Sequence, residues 1–196
     1  MCNTKQEEIM EKKILFIDIE TTGLSSEHHT ITEIAILEAI PHQTKIEQKF
    51  HTKILITKND FVKAQPKALE ISGYSEKGWS NAMAPEIAAE KISQILCTCE
   101  FLWVGHNPYF DRKFIEKFLA RNNQPFPSPI FHRFSDTRHL ATTFLWAEHP
   151  AKIKSFSLDN LRKYLGWDVF KTHSALQDAK DCAKLWYFFT VGRLDV

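Results

Sequence analysis

The stretch that most constrains this chain is Ile14-Leu15-Phe16-Ile17-Asp18-Ile19-Glu20. An apolar run of this kind reads as a strand buried on both faces. Two carboxylates interrupt it, two residues apart. Strand side chains alternate, so Asp18 and Glu20 point to the same side. Paired acids do nothing for a buried strand: they repel, and desolvating each costs on the order of several kcal/mol unless a cation compensates. A divalent metal is the economical explanation, and oxygen-only ligands on such a strand favour Mg²⁺ or Mn²⁺ over zinc. Local capping or pairing at the strand end is the competing explanation while the motif is only Asp-x-Glu.

The rest of the chain supplies a frame for that strand. Residues 30–40 read as a second strand, Pro41-His42-Gln43 as a turn, and Ile46, Phe50 and Ile54 as one face of a third strand. Three strands with short connections predict an antiparallel meander. The period then changes. Ala88, Ile92, Ile95, Leu96 and Cys99 recur at helical spacing behind Pro85. Phe101 to Val104 reads as a fourth strand, and Phe110, Phe114, Ile115, Phe118 and Leu119 as the apolar stripe of a helix. Pro125, Pro127 and Pro129 make a loop, and Ile130 to Phe134 reads as a fifth strand. Ser157 is placed to cap a helix carrying Leu158, Leu161 and Leu165, closed by Gly166. A last helix from about Ser174 carries Leu176, Ala179, Ala183, Trp186 and Thr190. A meander followed by alternating strands and helices predicts an α/β fold with a mixed five-stranded sheet flanked by helices. One domain over residues 13–190 is expected, between a polar lead-in (1–12) and a short C-terminal tail (191–196).

With 196 residues, 43% hydrophobic and 25% charged, the chain can build a full core and is not disordered. Its net charge of +1 excludes a strong polycation. A nucleic-acid ligand would need locally concentrated basic residues or help from metals. Cys97 and Cys99 lack a second pair or a histidine at finger spacing, so the four cysteines read as free thiols of a reducing compartment. Asn3 to Lys13 is too polar for a signal peptide, and no apolar run has the length to cross a membrane. A cytoplasmic protein without membrane contact is expected.

Two further clusters of chemistry stand at predicted element ends. In Gly105-His106-Asn107-Pro108-Tyr109-Phe110-Asp111, Asn107 reads as an N-cap, Pro108 as the first helical residue, and Asp111 as a first-turn acid near the positive end of the helix dipole. In His173-Ser174-Ala175-Leu176-Gln177-Asp178, Ser174 and Gln177 form a capping-box pattern. His173 then lies outside the helix, free to swing toward Asp178. Taken singly, each acid is explained by dipole compensation and the histidine by capping. Taken together, four acids and a histidine stand at strand ends and helix starts, where open α/β sheets build their sites.

These three segments, in this order, resemble the DEDDh family of 3′→5′ exonucleases, also called DnaQ-like, with an RNase H-like fold. The resemblance runs from about Lys13 to Phe189, with a weaker echo at Ile71-Ser72-Gly73-Tyr74. It implies that Asp18, Glu20 and Asp178 hold one of two Mg²⁺ or Mn²⁺ ions. It also implies that Asp18 bridges to the second, that Asp111 supports the second, and that His173 is the general base; an imidazole of ordinary pKa near 6.5 can accept the water's proton at neutral pH. The turn Thr21, Thr22, Gly23 and Leu24 would meet the terminal nucleotide, Leu24 wedging against its base and Gly23 allowing close backbone approach; an ordinary turn with Leu24 in the core is the other reading. The substrate implied is the 3′ end of DNA or RNA, released as nucleoside 5′-monophosphates, with a polymerase or a second copy as further partner. The alternatives are an exonuclease-like module that binds nucleic acid or docks on a polymerase with little turnover, and a phosphoesterase acting on small nucleotides. Other residues receive structural roles. Asp136 reads as a helix cap, His28 and His29 as loop residues in solvent, and Phe110, Phe114 and Phe118 as core. For Trp79, near Tyr74, stacking on a nucleobase and packing are both open.

Overall fold

A computed structural model describes residues 12–41, 45–98, 100–127, 133–146 and 153–192. The apolar run forms β1 (Lys13–Thr21), the centre of a five-stranded sheet. Beside it on one side lie β2 (Ile31–Ala39) and then β3 (Ile46–Lys53), both antiparallel as a meander requires. On the other side lie β4 (Phe101–Gly105) and then β5 (Phe134–Asp136), both parallel. The sheet is therefore mixed, as expected. The fifth strand starts at the last residue of the segment expected to form it; residues 130–132 lie outside the described residues, as do His42, Gln43, Cys2, Cys99 and Pro129.

Seven helices are described. Two short ones, α1 (Lys58–Lys63) and α2 (Pro66–Ile71), lack any long apolar stripe and were not expected. They precede α3 (Pro85–Cys97), α4 (Pro108–Arg121), α5 (Thr137–Leu145), α6 (Leu158–Leu165) and α7 (Ala175–Thr190). Alternation along β1 divides the core. Leu15, Ile17 and Ile19 pack with Ile92 and Leu96 of α3 and Phe114 and Phe118 of α4. Ile14 and Phe16 pack with Ala175, Ala179 and Ala183 of α7. Gly166 closes α6 in the left-handed region, at φ 72°.

Three local expectations, for Ser174, Asn107 and His29, need correction, and the open reading of Trp79 is decided. Ser174 sits at the N-cap of α7 but makes no capping bond, because its hydroxyl donates to Glu33 Oε1 at 3.1 Å and Gln177 reaches Asp181 instead. Asn107 occupies the N-cap of α4 without a side-chain bond. It takes a left-handed backbone (φ 74°), which asparagine tolerates, and its N–H donates to Asp136 Oδ1. Trp79 is buried, its indole donating to the Thr32 carbonyl at 2.9 Å, which removes it from nucleobase stacking. His29 is buried rather than solvated, whereas His28 is exposed. Asp136 is the cap of α5, as expected, accepting from the Arg138 N–H.

Candidate active site

The row that begins with Ile14 and Phe16 on the α7 face of β1 continues with Asp18 and Glu20. Where the apolar part ends, α7 starts, and its first turn supplies Asp178. β4 runs parallel to β1, with Val104 opposite Phe16, so the helix that follows β4 brings Asp111 to the same end of the sheet. The connection is tight: a Cβ on Gly105 would lie 2.9 Å from the Pro108 Cβ, which glycine alone avoids. His173 stands just before α7, its backbone N–H bonded to the Ile71 carbonyl at 2.8 Å. The Ile71-Ser72-Gly73-Tyr74 turn thus holds the histidine loop, with Gly73 left-handed at φ 63°. Asp18, Glu20, Asp111, His173 and Asp178 all line one cavity of about 290 Å³. Ligand atoms of Glu20, His173 and Asp178 lie within 4.8 Å of one another.

The charges are compensated unevenly. Burial, then Asp111, Asp178, Glu20 and Glu33, push the Asp18 carboxyl well above its ordinary range. Burial and the charge of Asp178 raise Glu20 to about 8. Burial raises Asp111 to about 8 as well, against backbone hydrogen bonds that oppose it. Asp178 behaves in the opposite way. Burial would raise it too, but hydrogen bonds from His173 and Arg162 prevail and hold it below its usual value. His173 Nδ1 lies 2.9 Å from Asp178 Oδ2, and its Nε2 lies 3.4 Å from Asp159 Oδ2. The hydrogen bond to Asp178 raises the imidazole to about 9, against its burial. The expectation of an ordinary pKa near 6.5 is therefore corrected: both ring nitrogens face carboxylates.

The turn after β1 is built from within. Thr22 is fully buried, exchanging bonds with Thr30, and the Thr21 hydroxyl donates to the Gly23 carbonyl at 2.8 Å. A Cβ on Gly23 would meet the His29 ring at 2.6 Å, so the close approach that glycine permits here is to His29. Arg121, at the end of α4, donates to the carbonyls of His29, Ser26 and Glu27 and pins the loop. Leu24 is 77% exposed and not in the core. It borders a second cavity of about 230 Å³ with Tyr109, Phe110 and Lys113. Phe114 and Phe118 are buried, but Phe110 lines both cavities and is only partly core.

Several residues of this region carried no role in the sequence reading. Glu33, opposite Glu20 in the register and paired with His51 at 2.8 Å, had a readable signal: an acid inside the apolar strand β2. His106 joins Thr137 to the Phe156 carbonyl and so ties β4 to the approach of α6. Arg162 gave no signal, since its partners become visible only when α6 packs on α7.

A mixed five-stranded sheet flanked by helices gives an RNase H-like fold, and solved structures share it. The E. coli ExoI–single-stranded DNA complex in its zinc-bound form superposes with a TM-score of 0.72 at 18% identity, covering 92% of this chain and 41% of that one. E. coli exonuclease I in complex with a dT13 oligonucleotide gives 0.71 at 17% identity, over 90% and 41%. A family model described as Exonuclease (RNase T) matches residues 15–186, and the chain belongs to this DnaQ-like exonuclease family. Curated relatives include the PolC-type DNA polymerase III of Thermotoga maritima, 29% identical over 175 residues. That of Caldanaerobacter subterraneus is 28% identical over 189. The chain spans only about a tenth of these polymerases, 11% and 12% of their length. Among the described residues no helix is long and apolar enough to cross a membrane.

Proposed function

We propose that this chain is a 3′→5′ exonuclease that removes nucleoside 5′-monophosphates from single-stranded ends. The activity would depend on two divalent cations, Mg²⁺ or Mn²⁺. The observation that carries this reading is the convergence of acids: Asp18, Glu20, Asp111 and Asp178 line one cavity with His173, and desolvation with mutual repulsion raises the carboxyls of Asp18 and Glu20. Such a set of hard oxygen donors fits Mg²⁺ or Mn²⁺. Asp18, Glu20, Asp111 and Asp178 would hold the ions. When bound, the ions supply positive charge against the scissile phosphate and the departing 3′ oxygen, and acidify water.

The protein's own groups divide the remaining work. Asp178 Oδ2 holds the Nδ1–H of His173 and leaves Nε2 as the atom that accepts the water proton. Nε2 has the longer contact, 3.4 Å to the part-exposed Asp159, and that contact must open first. A cation held by Asp178 would weaken the pull of that carboxylate on the imidazole proton and favour neutral His173. Leu24, on its pinned turn, packs against the last base, and the backbone of Thr21, Thr22 and Gly23 meets the terminal sugar. The exonuclease I complexes with DNA and the polymerase relatives favour a single-stranded substrate and a polymerase as partner.

The test is digestion of matched 5′-labelled DNA and RNA oligonucleotides with Mn²⁺. Stepwise shortening that stops with EDTA and with Asp18→Ala is expected. Shortening that survives both would overturn the reading, as would none on either polymer. Tight binding without cleavage would favour a docking module.

A further inference from the structure

Behind the cavity lies a cation that takes no part in the chemistry above. Arg162, on α6, is 1% exposed, with its guanidinium enclosed by three acids. Nη2 donates to Asp178 Oδ1 at 2.6 Å and to Asp181 Oδ2 at 2.8 Å, while Nε donates to the same Asp181 oxygen at 2.9 Å. Nη1 donates to Asp159 Oδ1 at 3.0 Å. Asp181 is itself held from the far side by Gln177 and by Lys184 at 3.6 Å. The Phe170 ring lies 5.4 Å from the guanidinium carbon.

A contact network this complete fixes a direction as well as a charge. One oxygen of Asp178 is occupied by a buried donor that cannot be exchanged for water. The other, Oδ2, is left for His173 and for whatever binds in the cavity. Asp159 closes the ring, bonded to Arg162 through Oδ1 and near His173 Nε2 through Oδ2. A buried arginine suits this task because its planar fork meets several carboxylates at fixed angles, which a lysine ammonium cannot do.

We propose that Arg162 is a positioning residue of the metal centre: it anchors Asp178 by Oδ1 so that Oδ2 is presented to the cation as a single oriented ligand. This rests on the reading of Asp178 as a metal ligand. Two effects oppose each other when Arg162 is changed. Loss of its charge would strengthen cation binding by Coulomb attraction, whereas loss of its fork would release the Asp178 carboxylate. Groups that orient metal ligands from behind are worth about 10–100-fold in metal affinity.

The experiment separates charge from orientation with Arg162→Lys, which keeps the charge and loses the fork. Mn²⁺ binding is measured by calorimetry on the full chain, with wild type and Asp18→Asn alongside. Arg162→Lys is expected to bind Mn²⁺ at least about tenfold more weakly than wild type, with KM for an oligonucleotide at saturating Mn²⁺ little changed. Binding equal to or tighter than wild type in a cooperatively folded Arg162→Lys would overturn the proposal. Should that variant not fold, Arg162→Met with Asp181→Asn removes a buried cation and anion together. The same weakening is expected of it, unchanged binding would again overturn the proposal, and failure of both variants to fold would mark Arg162 as a fold anchor only. If wild type binds no Mn²⁺, or Asp18→Asn binds it equally well, the fault lies instead in the site reading.

Discussion

Asp18 and Asp178 line the same cavity, yet their surroundings treat them oppositely. Around Asp18 the neighbours that move its pKa are all acids: Asp111, Asp178, Glu20 and Glu33. Around Asp178 stand His173 and the buried guanidinium of Arg162. One side therefore carries charge that only a ligand from solution can offset, and the other carries its own counterions. A cation site needs both: uncompensated oxygens to attract the ion, and a pre-oriented oxygen to receive it.

The contrast can be broken most strongly through activity. Asp18→Asn and Asp111→Asn are expected to reduce exonuclease turnover to background, because each removes a carboxylate proposed to hold a cation. His173→Ala is expected to lower turnover by roughly 10²- to 10⁴-fold while leaving Mn²⁺ binding largely intact. An unchanged rate at pH 8 would remove His173 from the base role.

Next comes the pH dependence of the metal-free protein. Glu20 and Asp111 are raised from ordinary values of 4.5 and 3.8 to about 8, and His173 from 6.5 to about 9. A raised folded-state pKa means that the native state binds the proton more tightly than the unfolded state. Its stabilisation is complete below the unfolded value and is lost as pH rises through the folded one. The metal-free Tm is therefore expected to fall between about pH 4 and pH 9. Millimolar Mn²⁺ is expected to replace the protons, with a stabilising effect that grows with pH. A metal-free Tm that climbs steadily toward pH 9 would contradict the assignment of uncompensated acids. The smallest effect is expected at the turn: Leu24→Ala should raise KM for an oligonucleotide by roughly tenfold or less, the worth of one apolar contact of about 1 kcal/mol, with little change in Tm because the side chain is exposed.

What the sequence disclosed follows the same division. Acids inside an apolar strand and acids in first helical turns are local anomalies, so the gathering of Asp18, Glu20, Asp111, Asp178 and the adjacent His173 at one cavity could be anticipated. The five-stranded mixed sheet was legible because apolar period and proline placement are also local. Compensation is tertiary. Arg162 looks like any helix-surface cation until α6 packs on α7, and the pull of Asp178 and Asp159 on His173 depends on that same packing. The burial of His29 under Gly23 and of Trp79 beneath β2 likewise depends on loops whose composition is ordinary. The capping box at Ser174 failed for a related reason: Glu33, brought in from β2, competes for the hydroxyl.

The most direct measurement compares the melting of Asp18→Asn and Asp178→Asn with wild type at pH 8, stripped of metal. Asp18→Asn removes a group whose ionisation is opposed by desolvation and four neighbouring acids, and it is expected to melt higher, by about 1 kcal/mol of stability. Asp178→Asn strips a partner from a buried guanidinium, and it is expected to melt lower, by about 3 kcal/mol. Shifts of the same sign, in either direction, would contradict the account of one cavity with a compensated and an uncompensated side.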